Sequence, residues 1–216
     1  MSAKIASLSR FVCFWMVLSI TSMVWGQGRK PVSEVFEEAQ RLHIGVDQPP
    51  DYRTAFGLYQ EVAKRDPGHK DAYYNMAHIS FAQKRYDLAG KYYQQVLRID
   101  PSDYDARNNL GTVYFQQGNI KRAKTEYLKV IRANRDFGRA YYNLAIVYLQ
   151  EGDKKKAEKV LEEALRIEPE NPDYVRMYSQ IQGDSSPVTA GGALVVVSGF
   201  AGIVVGYYFL FGRKGV

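Results

Sequence analysis

The chain has 216 residues, 46 % of them hydrophobic and 24 % charged, a balance that supports folding and excludes a wholly disordered polypeptide. Its net charge of +6 sits at the ends: Lys4, Arg10, Arg29, Lys30, Arg213 and Lys214 stand outside 31–183 against Asp184 alone, which leaves that region 23 basic and 22 acidic residues. A folded region so near neutrality lacks the basic stripe that phosphate binding needs, so the charge speaks for membrane topology and not for a nucleic-acid partner. The cluster Lys154, Lys155, Lys156 and Lys159 reads as a solvated helix start offset by Glu151, Asp153, Glu158 and Glu162.

Residues 1–10 carry Lys4 and Arg10 and no acid, and the apolar run from Phe11 to Trp25 follows. Val24 and Gly26 fill the small-residue positions before a cut at Gln27. This is the layout of a secretory signal peptide, expected over 1–26; the run is short for the ~20 residues of a full membrane span. Cys13 lies inside the run, so the mature chain is expected to hold no disulfide, no thiol chemistry and no thiolate ligand.

From residue 31 the apolar spacing is helical. Ser33 to Ile44 predicts one helix, and Ala55, Tyr59 and Val62, ending at Pro67, predict a second, joined by the long turn GVDQPP. A period of 34 residues then sets in, marked by Pro67, Pro101 and Pro169, with Arg135 at the skipped place. Small residues recur in columns: Ala77, Gly111 and Ala145; Ala89, Ala123 and Ala157. Bulky columns lie between them: Met76, Leu110 and Leu144; Tyr93, Tyr127 and Leu161; Leu97, Ile131 and Leu165. The half-way turns are Lys84-Arg85, Gly118-Asn119 and Gly152-Asp153. Small residues repeat where two helices cross closely, large ones fill the gaps beside them, and Pro ends the second helix. Each unit is therefore a helix–turn–helix.

With Tyr73, Tyr114 and Tyr148, Asn-Leu-Gly at 109–111, Asn-Leu-Ala at 143–145 and Ile-Asp-Pro at 99–101, these columns resemble the tetratricopeptide repeat. The resemblance implies an all-α solenoid, a superhelix of repeats at 70–103, 104–137 and 138–171. A degenerate first repeat is expected at 31–69, and a capping helix at 172–182 to cover the last apolar face. It also implies that the concave groove of the first helices binds a protein or peptide ligand. The groove positions here are Tyr74, His78, Phe81, Asn108, Asn109, Thr112, Phe115, Tyr142, Asn143, Ile146 and Leu149, expected to be exposed; the alternative is that several of them, Phe81 and Phe115 first, only pack inside the superhelix or against the terminal helix. One branch of the family clamps a peptide's terminal carboxylate with Lys, Arg and Asn. Here Tyr74 and Tyr142 stand where a clamp lysine would and His78 where an asparagine would; Arg139 and Asn109 match. No carboxylate clamp is expected; the groove suits an extended or helical apolar peptide.

A linker at 183–187 leads to 188–211, 24 residues without a charge, followed by Arg213 and Lys214 in the tail 212–216. This predicts a transmembrane helix whose basic flank stays cytoplasmic. Ser198, Gly202 and Gly206, four apart, form a small-xxx-small stripe through which two copies could pair as a homo-dimer.

No GxxxxGK[ST], GxSxG, HExxH or CxxC motif is present. His43, His69 and His78 lack ligand spacing, and Glu37-Glu38 and Glu162-Glu163 point apart as helix neighbours. No catalytic residue, cofactor or metal site is expected. The reading is a membrane-anchored scaffold, with its repeats on the non-cytoplasmic, periplasmic side, serving envelope complex assembly. The alternative is a tail-anchored adaptor whose repeats recruit proteins from the cytoplasm.

Overall fold

The computed structural model describes residues 29–183 other than residue 47. The expected signal peptide, most of the linker, the 188–211 segment with Ser198, Gly202 and Gly206, and the tail lie outside the described residues. Among the described residues, no helix is long and apolar enough to cross a membrane. All regular structure there is α-helical: α1 Val32–Ile44, α2 Tyr52–Arg65, α3 Lys70–Ala82, α4 Tyr86–Ile99, α5 Tyr104–Gln116, α6 Ile120–Ala133, α7 Gly138–Gln150, α8 Lys154–Ile167 and α9 Pro172–Gln182. The chain divides into two compact units at Pro67/Gly68.

In the first unit α1 and α2 pair across Val35, Ala39, Ala55, Tyr59 and Val62, all buried. Helix α1 stops because Gly45 takes the left-handed conformation (φ 75°), its N–H bonding Arg41 O at 2.9 Å. Asp51 starts α2 by accepting from the Arg53 and Thr54 N–H groups at 3.1 and 3.0 Å. Phe36 and His43 pack on the Tyr59 ring, and His43 Nδ1 lies 3.3 Å from Tyr59 Oη.

In the second unit α3/α4, α5/α6 and α7/α8 form three antiparallel pairs. Each turn is three residues, 83–85, 117–119 and 151–153, and each uses the same backbone device. The middle residue has positive φ: Lys84 59°, Gly118 74°, Gly152 78°. The next N–H then reaches five residues back, Arg85 to Ser80 O, Asn119 to Tyr114 O and Asp153 to Tyr148 O, each at 2.8 Å. Asp103, Asp153 and Asn171 cap the N-termini of α5, α8 and α9.

The small-residue columns lie where a first helix meets its own second helix, and all six residues are buried. Gly111 shows why size is limited there: a Cβ on it would sit 2.6 Å from Tyr127 Cε1. Helix α9 runs antiparallel to α8, since Tyr174, Tyr178 and Gln182 bond Glu168, Glu162 and Glu158 in turn. Its buried Tyr174, Met177 and Ile181 close the core of the last pair.

Candidate functional site

The first helices α3, α5 and α7 lie side by side because each pair repeats the same packing. Three side-chain contacts tie neighbouring rungs. Asn109 Nδ2 donates to Tyr74 Oη at 2.8 Å, joining α5 to α3, and Asn143 Nδ2 donates to Asn108 Oδ1 at 2.9 Å, joining α7 to α5. The Arg139 guanidinium pairs with the Asp105 carboxylate between the same two helices. These partners stand 34 or 35 residues apart, one solenoid step.

None of the eleven groove positions is fully exposed, and four are buried. Asn108 (2 %), Phe81 (4 %), Asn109 (6 %) and Tyr142 (7 %) are buried, each for an identifiable reason. Phe81 joins the core of α3 to α5 and meets Tyr86 edge-on at 5.4 Å. Each of the two asparagines commits one amide atom to a rung-to-rung bond, Asn109 its Nδ2 and Asn108 its Oδ1, which offsets part of the cost of burying it. Tyr142 stacks on Tyr174 of the terminal helix, ring centroids 5.1 Å apart, and burial pushes its phenol up to about 12. The other seven, Tyr74, His78, Thr112, Phe115, Asn143, Ile146 and Leu149, are half-buried.

Tyr74 is held on both sides: its ring meets Tyr93 edge-on at 5.6 Å and burial pushes its phenol up to about 12. Tyr93 Oη beneath it is buried, with no partner at hydrogen-bond geometry among the described residues and Asn109 as its nearby polar group, and burial raises that phenol well above its ordinary value. Thr112 Oγ1 lies 3.3 Å from Asn108 O and 3.1 Å from Tyr127 Oη, so it anchors the turn of helix it sits on. The polar half of this face is therefore already committed to itself. Its apolar half, Phe115, Ile146 and Leu149, keeps part of each side chain in solvent.

Two participants were missed from the sequence. Asp105 neutralises the one cation that matched a clamp position, and its signal was the column Asp71, Asp105, Arg139, Asp173, in which Arg139 stands one step after Asp105. Tyr174 falls in the column Ala72, Ala106, Ala140, all buried small residues; a tyrosine in that place marks the unit as a terminator. At the edge of the unit, Lys70 Nζ contacts Asp100 at 2.6 Å and Asp103 at 3.1 Å, and this hydrogen bond draws the Asp100 carboxyl down to about 2.

Family models described as tetratricopeptide repeat match residues 71–103 and 108–172. No curated protein matches the chain. Among solved structures, the chain is similar to a MamA protein at 18 % identity, covering 71 % of this chain and 83 % of that one with a TM-score of 0.59. It is similar to pilF of Pseudomonas aeruginosa at 21 % identity, with 71 % and 70 % covered and a TM-score of 0.61. It is also similar to the first repeat domain of Spaghetti (RPAP3), solved with an HSP90 peptide, at 21 % identity, with 53 % and 93 % covered and a TM-score of 0.51. At these identities the likeness is one of fold, an all-α helical solenoid. Residues 71–103 and 108–172 of this chain are tetratricopeptide repeats.

Proposed function

We propose that this chain is a membrane-anchored, non-enzymatic scaffold that holds an internal segment of a partner protein along the row of α3, α5 and α7. The observation that carries the reading is the Arg139–Asp105 pair. Arg139 stands where a carboxylate clamp would need a charge of its own, and Asp105 already neutralises it. With the asparagines also paired, the face offers fixed polar rungs and the half-buried Phe115, Ile146 and Leu149, which suit apolar side chains of an extended or helical segment. That the similar Spaghetti domain was solved with the peptide SRMEEVD supports peptide as the ligand class. The acidic end of that peptide would find no unpaired cation on the Arg139 rung here.

Membrane attachment and placement of the repeats on the non-cytoplasmic side, for envelope assembly, rest on the terminal sequences: the basic-then-apolar start and the uncharged 188–211 stretch followed by Arg213 and Lys214. The test of the groove is binding of short apolar peptides with free and amidated C-termini to the full chain. Equal affinity for both ends is expected. Phe115→Ser with Leu149→Ser should weaken binding about tenfold, equivalent to ~1.4 kcal/mol, with helical content unchanged. A requirement for the free carboxylate, or unaltered binding by the double variant, would overturn the assignment.

A further inference from the structure

We propose that the solenoid edge carrying the turns inside each helix pair docks on the anionic phospholipid headgroups of the membrane that residues 188–211 enter. The proposal rests on the membrane-anchored reading and adds to it which surface of the repeats meets the lipid.

Charge is sorted by edge. The turns and following first helical turns at 83–89, 117–123 and 151–157 carry seven cations and three carboxylates, a net +4. The corresponding stretches at the opposite edge, 100–106, 134–140 and 168–174, carry two cations and seven carboxylates, a net −5. The whole second unit hides this, because the two edges nearly cancel. One helix length, ~20 Å for 13 residues, separates them.

The acidic edge has a local explanation, since Asp103 and Asn171 cap helices there and carboxylates suit helix N-termini. The basic edge has one for part of its charge only: Arg122 lies over the Tyr114 ring, Arg85 bonds Gln83 and Lys156 lies over the Tyr148 ring. Helices α6 and α8 carry no acid in their first turn; Lys121 and Arg122 occupy that of α6 and Lys154, Lys155 and Lys156 that of α8. Cations there oppose the helix dipole, so folding alone would not choose them. Lys84, Lys121, Lys154 and Lys155 are exposed and make no ion pair among the described residues. Lys156 pairs with Asp153, and Lys124, just beyond the turn, pairs with Glu151 at 2.6 Å.

The chain also leaves the solenoid at this edge. Because α9 is antiparallel to α8, its last residue Gln182 bonds Glu158 in the second turn of α8, beside the lysines. From Gly183 to Val188 is five residues, at most ~18 Å even fully extended. Whatever surface 188–211 enters is thus held near the basic edge, on a scale comparable to the ~10 Å Debye length. The acidic edge lies a helix length from that exit, and the link alone does not fix which edge faces the surface. An anionic bilayer attracts the one and repels the other.

The test uses the full chain with Cys13→Ser, reconstituted into phosphatidylcholine vesicles with or without phosphatidylglycerol and containing a headgroup-nitroxide lipid. A bimane label goes on Asn119→Cys at the basic edge or on Ser102→Cys at the acidic one. With phosphatidylglycerol, quenching at 119 should exceed that at 102 about threefold, given the ~20 Å between the edges. The ratio should fall towards one in pure phosphatidylcholine, in ~1 M salt, and in the quadruple variant Lys84→Glu, Lys121→Glu, Lys154→Glu, Lys155→Glu, which the helix dipole does not disfavour. Equal quenching at both sites with phosphatidylglycerol present, or a difference that survives the charge reversal, would overturn the docking; in the latter case the tether or a protein contact sets the orientation. An alkaline carbonate wash keeps the two readings apart. A chain stripped from the vesicles sinks the anchor and the proposal with it, whereas a retained chain with equal quenching sinks the edge alone.

Discussion

The first hairpin and the three repeats are built from the same two-helix plan, and they differ in what holds the helices together. In the repeats a three-residue turn with one positive φ closes each pair, and the helices approach until the Gly111 Cα faces the Tyr127 ring. In α1/α2 the connection runs over 45–51, Ile44 and Val46 at its start remain 71 % and 61 % exposed, and part of the contact is polar, His43 against Tyr59. Gly57 on α2 faces open space: among the described residues nothing beyond its own helix backbone and chain neighbours lies within 4 Å of where its Cβ would be. Periodic neighbours let the repeats economise on turn length and side-chain volume. The pair outside that period closes through a longer connection, between Gly45 and Asp51, with the His43–Tyr59 contact across it.

One substitution should have opposite signs in the two regions. Gly111→Ala forces a methyl against the Tyr127 ring at 2.6–2.9 Å, and overpacking of this kind costs ~1–3 kcal/mol. Gly57→Ala meets nothing and removes an interior helical glycine, gaining ~1 kcal/mol. Urea midpoints of the two variants should move in opposite directions. A stabilised Gly111→Ala would mean that the repeats are no more tightly packed than the hairpin.

A smaller effect is expected at the turns. Lys84 takes φ 59°, where its counterparts are Gly118 and Gly152. Lys84→Gly should stabilise the second unit by ~1 kcal/mol, the usual cost of a left-handed side-chain-bearing residue. Gly118→Ala should lose about as much from backbone strain alone, because no atom lies near its Cβ position. Gly45→Ala should lose more, since its Cβ would also strike Gln48 O and Pro50 Cδ, both at 2.7 Å. Thermal unfolding of the three variants measures the order. If Gly45→Ala is the mildest, the long connection is looser than its geometry implies.

The helical period was legible because small residues in a close helix crossing cannot be exchanged for large ones without a clash, so the columns through Ala77, Gly111 and Ala145 survive every other change. What failed was exposure on the first helices. Repeat position places a side chain on a face, but whether it is covered depends on neighbours one step away in the solenoid. Asn108 and Asn109 are buried by bonds to residues 35 positions off, and Tyr142 by a ring on the terminal helix. A pattern confined to one repeat contains none of that. The Arg139–Asp105 pair was readable in principle as opposite charges in one column, and the His43–Tyr59 contact was not, because no column covers the first hairpin.

The smallest expected effect belongs to that contact. Burial lowers the His43 pKa from its ordinary 6.5. The folded hairpin thus binds fewer protons than the unfolded chain, which titrates near the ordinary value. Its contribution to stability is fully present above that unfolded pKa and declines as pH falls below it, levelling off once the folded-state pKa is passed. Hydrogen exchange of α1 and α2 amides should therefore show protection falling between about pH 7 and pH 5. The neighbouring carboxylates Glu38 and Asp51, both shifted down by their hydrogen bonds to Lys30 and Thr54, stay ionised through this window. In His43→Gln the slope in α1 and α2 should disappear while any pH dependence of α3–α8 amides is unchanged. A slope that persists in His43→Gln would place the proton-linked group elsewhere. The polar contact would then not be what distinguishes the hairpin from the repeats.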